Sequence, residues 1–350
     1  MSVLDQVRTL PTLDLRYAEG GAAERAQFLR ELRAAVSGVG FFYVVGHGIR
    51  NEVVKNVLSL SRRFFALPVE QKLAIEMVNS PHFRGYNRAG FEHTRGKPDW
   101  REQLDVGAER AAPPFDRSRP AWTRLQGPNQ WPAALPELKP VLLAYQEQVT
   151  VLAVRVLRAF AAALEQPDDA FEPIYSPAPH QLLKLIRYPG RARDEGDQGV
   201  GAHKDSGFVS ILLQDEQAGL QVEGEHGWID APPVPGTFVV NIGEILEMAS
   251  SGYLRANVHR VVSPPPGVDR YSVAFFLGAR LDATVPVLSL PPHLAAQARG
   301  VTQDPLNPLF REVGRNYLKG RLRSHPDVAR RHHPDLVDPA RSTLEPASAY

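Results

Sequence analysis

The sequence predicts a mainly β protein, an antiparallel barrel or jelly roll, with helices packed around it. Between Gln181 and Leu277, short β-rich runs alternate with glycine and proline turns, which is typical of barrels and sandwiches. Helical periodicity dominates the chain before this region and returns from Pro305 to Leu322. The expected order is therefore an N-terminal helical region, a β core and a C-terminal helix.

Length and composition narrow the class of protein. The chain has 350 residues, 43% of them hydrophobic and 23% charged, which is ordinary globular composition. A chain of this length folds without a metal or disulfide staple, so any metal site is expected to be functional. The absence of cysteine excludes disulfides, zinc ribbons, iron–sulfur clusters and cysteine nucleophiles, and it fits a cytoplasmic protein.

The charge balance gives no reason to expect a nucleic-acid partner. Lys and Arg number 40 against 39 Asp and Glu, so there is no excess of positive charge to bind phosphates. Asp5 and Arg8 interrupt the N-terminal segment, which predicts that it is not a signal peptide. No apolar stretch is long enough to predict a membrane span. The expected partner is a small molecule.

Periodicity places three helices before the β region. Ala23 to Val36 has apolar residues at helical spacing and is followed by glycines. Asn51 begins a second helix, which Pro68 stops. Residues 137–164 form the strongest predicted helix, because their apolar residues are spaced by threes and fours. The six prolines between Ala111 and Pro136 predict a long irregular connection.

Strands are predicted from short apolar runs bounded by turn residues. Two of them, Leu10 to Leu15 and Gly40 to Gly48, precede the β region. The β region itself contains seven such runs: Leu182–Tyr188, Phe208–Leu213, Gly219–Val222, Trp228–Ala231, Thr237–Ile242, Val258–Val262 and Arg270–Leu277.

Three side chains in the β region are candidate metal ligands. His203 and Asp205 share one face of a strand because side chains alternate with a period of two. His259, on a later strand, supplies a third ligand. Two imidazoles and one carboxylate form a facial triad with three open positions, which is diagnostic of non-haem Fe(II) oxygenases. A His-X-Asp tripeptide alone is weak evidence, so the prediction needs support from elsewhere in the chain.

Arg270 and Ser272 give that support. They follow His259 by eleven and thirteen residues and again share a strand face. A guanidinium and a hydroxyl together bind a carboxylate through a forked set of hydrogen bonds. The sequence thus places a predicted carboxylate site one strand beyond the predicted metal site.

With these motifs in place, the sequence resembles the 2-oxoglutarate/Fe(II)-dependent dioxygenases of the isopenicillin N synthase-like group. The resemblance runs from about Leu10 to His333. It rests on ordered blocks along the chain: Gly40–Ile49, Phe64–Pro68 with Lys72, Arg84–Tyr86, Gly127–Pro132, His203–Asp205, Asn257–Val261 and Arg270–Ser272.

The resemblance implies a fold and a cosubstrate. The core is expected to be a double-stranded β-helix over residues 178–282, with residues 1–136 contributing to the pocket and residues 1–350 acting as one catalytic unit. Fe(II) is expected at the triad, chelated by 2-oxoglutarate, whose distal carboxylate pairs with Arg270 and Ser272. Its decarboxylation by O2 to succinate and CO2 is coupled to hydroxylation or desaturation of a small molecule.

The resemblance also suggests further contacts. Tyr188 matches a strand tyrosine that touches the cosubstrate or substrate, and Lys184 lies on the same strand face. A lysine inside a barrel needs a negatively charged partner. Five substrate contacts are suggested by local likeness, some of it to bacterial ethylene-forming enzymes, and they fit a zwitterionic or polar substrate: Arg84, Tyr86, Glu92, Thr94 and Arg323.

Three alternatives remain open at the level of the sequence. One is an oxidase like isopenicillin N synthase, which has the same triad but takes no electrons from 2-oxoglutarate. Another is an ethylene-forming type of reaction. A ligand-binding barrel without catalytic activity is the third, and the intact triad argues against it because binding alone needs no three converging ligands.

Overall fold

The strands form two sheets that pack face to face, and helices cover the outer side of the larger sheet. The computed structural model describes residues 9–114, 116, 118–192, 196–301 and 307–337. Apart from the parallel pair at one edge, neighbouring strands in both sheets are antiparallel. The jelly-roll core and flanking helices predicted from the sequence are confirmed.

The described residues contain fourteen strands. In chain order they are β1 (Thr12–Asp14), β2 (Phe41–Val45), β3 (Gly85–Asn87), β4 (His93–Thr94), β5 (Lys97–Pro98), β6 (Glu102–Gly107), β7 (His180–Tyr188), β8 (Gln198–His203), β9 (Val209–Gln214), β10 (Leu220–Gly224), β11 (Gly227–Asp230), β12 (Phe238–Ile242), β13 (His259–Val262) and β14 (Arg270–Gly278). The larger sheet has the order β1-β2-β12-β9-β14-β7-β6-β3, the smaller one β11-β10-β13-β8, and β4 pairs with β5.

Most of the helices lie before and after the strands of the core. In chain order they are α1 (Ala22–Ser37), α2 (Asn51–Phe65), α3 (Val69–Leu73), α4 (Leu138–Ala163), α5 (Glu172–Tyr175), α6 (Glu244–Ala249), α7 (Pro292–Ala295), α8 (Val313–Ser324) and α9 (Pro326–His332). Among the described residues, no helix combines the length and the apolar character that a bilayer crossing requires.

Alternation along β14 shows how the larger sheet separates its two faces. Val273, Phe275 and Leu277 are fully buried against the helices, where each contributes about 1.5–3 kcal/mol of burial free energy. Ser272 and Ala274 face the smaller sheet instead. The sheet therefore keeps an apolar face for the helices and a mixed, partly polar face for the interior between the sheets.

Two local features differ from what the sequence predicted. The C-terminal helix predicted from Pro305 begins only at Val313, and Pro305 itself lies outside the described residues. Glu312 instead bridges Thr284 as an isolated β pair, which keeps the backbone before Val313 extended. Strand β6 was not predicted at all, because only two of its residues, Leu104 and Val106, are apolar residues in alternation.

Candidate metal and cosubstrate site

His203, Asp205 and His259 converge at one end of the smaller sheet. The first histidine ends β8, the second begins β13, and the two residues are paired across the sheet. Their ring centroids are 4.3 Å apart. Asp205 Oδ1 lies 3.6 Å from His203 Nε2 and 3.8 Å from His259 Nε2. One ligand atom from each residue lies within 4.8 Å of the others, which is the spacing that a single metal ion bridges.

The position of Asp205 corrects one part of the sequence interpretation. Strand β8 ends at His203, so Asp205 lies in the following loop and not on the same strand face. Its position comes instead from hydrogen bonds: Asp205 Oδ2 accepts from Ser210 Oγ at 2.5 Å and from Asn241 Nδ2 at 2.8 Å. These bonds leave Oδ1 directed at the two imidazoles.

Backbone carbonyls orient both imidazoles. His203 Nδ1 lies 2.9 Å from the carbonyl oxygen of Gly201, and His259 Nδ1 lies 3.3 Å from that of Asn257. When Nδ1 donates its proton to a carbonyl, the lone pair of Nε2 is free to bind a metal. The three side chains therefore direct two imidazole Nε2 atoms and one carboxylate oxygen to the same point.

The protonation states suit metal binding. Burial, followed by the neighbouring His259, lowers the pKa of His203 to about 3, so this imidazole is neutral near pH 7. Burial raises the pKa of Asp205, but the two imidazoles and the hydrogen bonds from Asn241 and Ser210 outweigh it and leave the pKa below its usual value. A neutral imidazole and an ionised carboxylate are the forms that ligate Fe(II).

Replacing Ser210 by alanine should weaken metal binding without unfolding the protein. The substitution removes one of the two side-chain hydrogen bonds that hold Asp205, and losses of this kind cost about 10- to 100-fold in metal affinity. Fe(II) affinity measured by anaerobic titration checks the prediction. Ser61→Ala is the matched control, because Ser61 is also buried but its hydroxyl donates to the Val57 carbonyl in α2. Equal affinities in the two variants would contradict the prediction.

Arg270 and Ser272 both lie on β14 and are fully buried. Arg270 Nε donates to the Gln217 carbonyl and Nη2 donates to Gln214 Oε1. Arg270 Nη1 and Ser272 Oγ are buried without a hydrogen-bond partner among the described residues. A buried guanidinium and hydroxyl with free donors are the groups that a carboxylate would satisfy.

Tyr188 and Lys184 are the two candidates on β7. The ring of Tyr188 packs under the Arg270 guanidinium, with the guanidinium carbon 5.0 Å from the ring centroid. Lys184 is buried, and its Nζ lies 3.6 Å from Glu92 Oε1 and 3.7 Å from Asp105 Oδ2. The lysine thus has the negatively charged partners that a barrel interior requires.

The predicted substrate contacts do not all lie together. Glu92 is brought beside Lys184, and Thr94 donates to Asp99 in the same region. Tyr86 instead packs in the helix-facing core and donates to Glu102.

No contact places Arg84 or Arg323 beside Glu92 in the part of the chain that the structure describes. Arg84 is buried, and its guanidinium donates to backbone carbonyls, among them those of His82 and Leu125. Arg323 lies half-buried in the last turn of α8. A contact of either arginine with a substrate stays a prediction.

A chain of buried charges between Glu92 and α8 was missed in the sequence. Arg101 Nη2 lies 2.8 Å from Glu92 Oε2, and Arg321 Nη1 lies 2.8 Å from Asp105 Oδ2. This charge chain holds three cations and three carboxylates: Arg101, Lys184, Arg321, Glu92, Asp99 and Asp105. The alternation of Gln103 and Asp105 with apolar residues in β6 was the available signal.

The charge chain reaches the strand that carries His203. Asp99 Oδ1 accepts the backbone N–H of Gly201 at 3.0 Å, and the Gly201 carbonyl in turn orients His203. Burial raises the pKa of Glu92, but Arg101 and Lys184 dominate and hold it well below its usual value. Glu92 is therefore ionised, and the interior beside the triad carries paired charges of both signs.

A jelly roll with a His-Asp-His cluster at the end of one sheet and a buried arginine on the other is typical of mononuclear non-haem iron oxygenases. Family models support this class. The 2OG-Fe(II) oxygenase superfamily matches residues 179–279, and the N-terminal region of non-haem dioxygenases in morphine synthesis matches residues 10–134. The chain belongs to the 2-oxoglutarate/Fe(II)-dependent dioxygenases.

Curated relatives match most of the chain. The 2-oxoglutarate-dependent dioxygenase frbJ of Dothideomycetidae sp. (strain 11243) is 38% identical over 94% of this chain and 94% of its own length. Homoarginine-6-hydroxylase 2-ODD-C23.1 of Arabidopsis thaliana is 37% identical over 76% of this chain and 80% of its own.

Solved structures show the same architecture. A 2OG-Fe(II) oxygenase family protein from Caulobacter crescentus has a TM-score of 0.71 at 29% identity, covering 89% of this chain and 98% of its own. JOX2 in complex with 2OG, Fe and JA has a TM-score of 0.68 at 26% identity, covering 93% of this chain and 91% of JOX2.

The family settles the reaction class. The protein is an oxidoreductase that uses Fe(II), 2-oxoglutarate and O2, and it couples oxidative decarboxylation of 2-oxoglutarate to oxidation of a small molecule. The relatives do not favour the isopenicillin N synthase-like oxidase, the ethylene-forming reaction or the non-catalytic barrel.

Proposed function

We propose that this dioxygenase hydroxylates a small zwitterionic molecule of the amino-acid class. The observation that carries the proposal is the chain of paired charges beside the triad, in which Lys184 lies between Glu92 and the buried Asp105. An interior that holds charges of both signs suits a substrate that itself carries both signs.

The residues present fit the iron and the cosubstrate. His203, Asp205 and His259 offer the two nitrogens and one oxygen that Fe(II) accepts while keeping open positions. Arg270 and Ser272 would hold the distal carboxylate of 2-oxoglutarate, since each has a buried donor without a partner among the described residues. Within the same residues, no carboxylate lies within 4 Å of the Arg270 guanidinium, so an anionic ligand would supply the missing counter-charge.

The oxidising power comes from O2 and 2-oxoglutarate at the bound iron; the protein positions the reactants and excludes water. By holding the distal carboxylate, Arg270 and Ser272 fix how far 2-oxoglutarate extends from the metal site. Phe41 packs edge-on against His259, with 5.1 Å between ring centroids, and is almost fully buried. Apolar side chains of both sheets surround Phe41, so competing reactions with water are reduced.

Curated relatives support the amino-acid class. Homoarginine-6-hydroxylases from three plants match this chain at 36–37% identity over 74–76% of its length. A long basic amino acid has a carboxylate at one end, a cationic group at the other, and C–H bonds between them that can be oxidised. The paired charges around Glu92 and Arg321 offer a partner for each end of such a substrate.

Succinate release tests the proposal. Purified protein with Fe(II), 2-oxoglutarate and O2 is expected to release succinate faster when L-homoarginine, L-arginine or L-lysine is added, because a bound substrate couples decarboxylation to its own oxidation. The matching product should be heavier by one oxygen atom in mass spectrometry. An uncharged amide of similar size serves as the control ligand. If no amino acid raised succinate release above the control, the amino-acid class would be wrong.

A further inference from the structure

Two side chains of α8 reach the barrel interior one helical turn apart. Tyr317 and Arg321 are separated by four residues and therefore share a face of the helix. The Tyr317 ring packs against His180 with 4.3 Å between ring centroids. Arg321 is buried, and its Nη1 contacts Asp105 Oδ2 at 2.8 Å and His325 Nε2 at 3.2 Å.

Each of these side chains keeps one buried donor unused. Tyr317 Oη and Arg321 Nη2 have no hydrogen-bond partner within the part of the chain that the structure describes. Buried polar atoms are almost always hydrogen-bonded in native proteins, and leaving a charged donor unpaired is costly. Two such donors on one helix face point to a ligand that accepts both hydrogen bonds.

The hydroxyl of Tyr317 lies close to the loop that carries Asp205. A Cβ placed on Gly278 would collide with this hydroxyl, and a Cβ placed on Gly207 would lie 3.1 Å from it. Gly207 follows Asp205 by two residues. Because both glycines lack a side chain, the phenol of Tyr317 can lie near the triad. The Tyr317 donor therefore lies on the side of α8 that faces the triad.

Tyr317 and Arg321 lie too far from Arg270 to bind the same molecule of 2-oxoglutarate. Gly278, beside Tyr317, and Arg270 are the two ends of β14. Eight residue steps along a strand span roughly 26 Å. One molecule of 2-oxoglutarate is too short to reach both ends, so the donors of α8 require a second ligand.

The surroundings of the pair favour an anion. Arg84 is buried with no carboxylate within 4 Å among the described residues, and it adds positive charge beside Arg321. Burial, followed by Arg84, Arg321 and Arg110, holds the pKa of His180 well below its usual value. The guanidinium groups of Arg84 and Arg321 attract a carboxylate.

We propose that Tyr317 Oη and Arg321 Nη2 together bind the carboxylate of the primary substrate and so select amino acids over analogues that lack the carboxylate. The proposal rests on the proposed amino-acid class and names the residues that recognise it. Arg321 supplies a charged donor and Tyr317 a neutral one, and Asp105 holds Arg321 in position through Nη1. The cationic end of the substrate would then lie toward Glu92 in the charge chain.

Matched ligands test the carboxylate contact directly. Binding of L-homoarginine and of L-homoarginine amide is measured anaerobically by calorimetry, with Fe(II) and 2-oxoglutarate present. The wild-type protein is expected to prefer the acid by about tenfold or more, since a charge-assisted hydrogen bond is lost in the amide. Arg321→Gln should bring this preference close to one. Tyr317→Phe should weaken binding of the acid several-fold while leaving the fold intact, because only one oxygen atom is removed.

Controls separate this contact from general damage. Arg315→Gln changes an exposed arginine of the same helix and should keep the wild-type preference. The affinity for 2-oxoglutarate should be unchanged in every variant. An unchanged preference in Arg321→Gln and Tyr317→Phe would overturn the carboxylate contact and leave the proposed function standing, as would a wild-type protein that binds acid and amide equally. A wild-type protein that binds neither L-homoarginine nor another amino acid would overturn both.

Discussion

Replacing His259 by alanine is expected to abolish Fe(II) binding and the release of succinate from 2-oxoglutarate. The substitution removes one of the three ligand atoms that converge within 4.8 Å. Loss of a residue that only orients a ligand costs about 10- to 100-fold in affinity, and loss of a ligand costs more. The absorbance band that forms when 2-oxoglutarate chelates protein-bound Fe(II) should be absent in His259→Ala at concentrations where the wild-type protein shows it.

His226→Ala is the matched control for this experiment. His226 lies in the turn between β10 and β11 and is exposed, so its loss changes the histidine content without touching the triad. It should keep the band and the wild-type rate of succinate release. Retention of one bound Fe(II) and of the band in His259→Ala would show that the metal lies elsewhere, and the assignment of all three ligands would fall with it.

Replacing Arg270 by alanine is expected to raise the KM for 2-oxoglutarate by roughly 30- to 1,000-fold, or about 2–4 kcal/mol. The guanidinium is fully buried, and its Nη1 is the free donor that a carboxylate would use. Removing it leaves the carboxylate buried without its counter-charge. Fe(II) binding should persist, because Arg270 is not among the residues that meet at the metal site.

The kinetic pattern separates this role from a structural one. Arg270→Lys should recover part of the affinity, since it keeps the charge but loses the forked geometry. Arg260→Ala is the control, because Arg260 lies on strand β13 and packs over Trp228 instead of facing the interior. A KM for 2-oxoglutarate in Arg270→Ala equal to that of the control would rule out the carboxylate contact.

The strands of the core were predicted from local patterns in the sequence. Turn residues and apolar runs located the strands from β7 to β14 to within a few residues, with the exception of β8, which was known only through its histidine. The His-X-Asp motif identified two candidate ligands even though its assumed geometry was wrong: Asp205 lies beyond the strand and reaches the triad because Ser210 and Asn241 hold it there.

The charge chain and the α8 donors could not be predicted in the same way. Asp105 and Arg321 are 216 positions apart, and nothing in either local sequence indicates that they pair. Arg323, chosen by resemblance, and Arg321 differ by two positions in a helix, which turns their side chains about 200° apart. Only the packing of α8 on the barrel decides which of them faces the interior.

The sequence by itself determined the class of fold, because strands follow a period of two that can be read locally. It also predicted the metal ligands and the carboxylate contact at Arg270, because these are residue types that few other roles require. The tertiary structure decided which charged side chains lie together beside the triad. Those side chains come from β6, β7, the loop that holds Glu92 and α8, and long-range pairing brings them together. Burying a charge is costly unless it is paired, so the pairs form wherever the packed elements allow, and no local pattern records them.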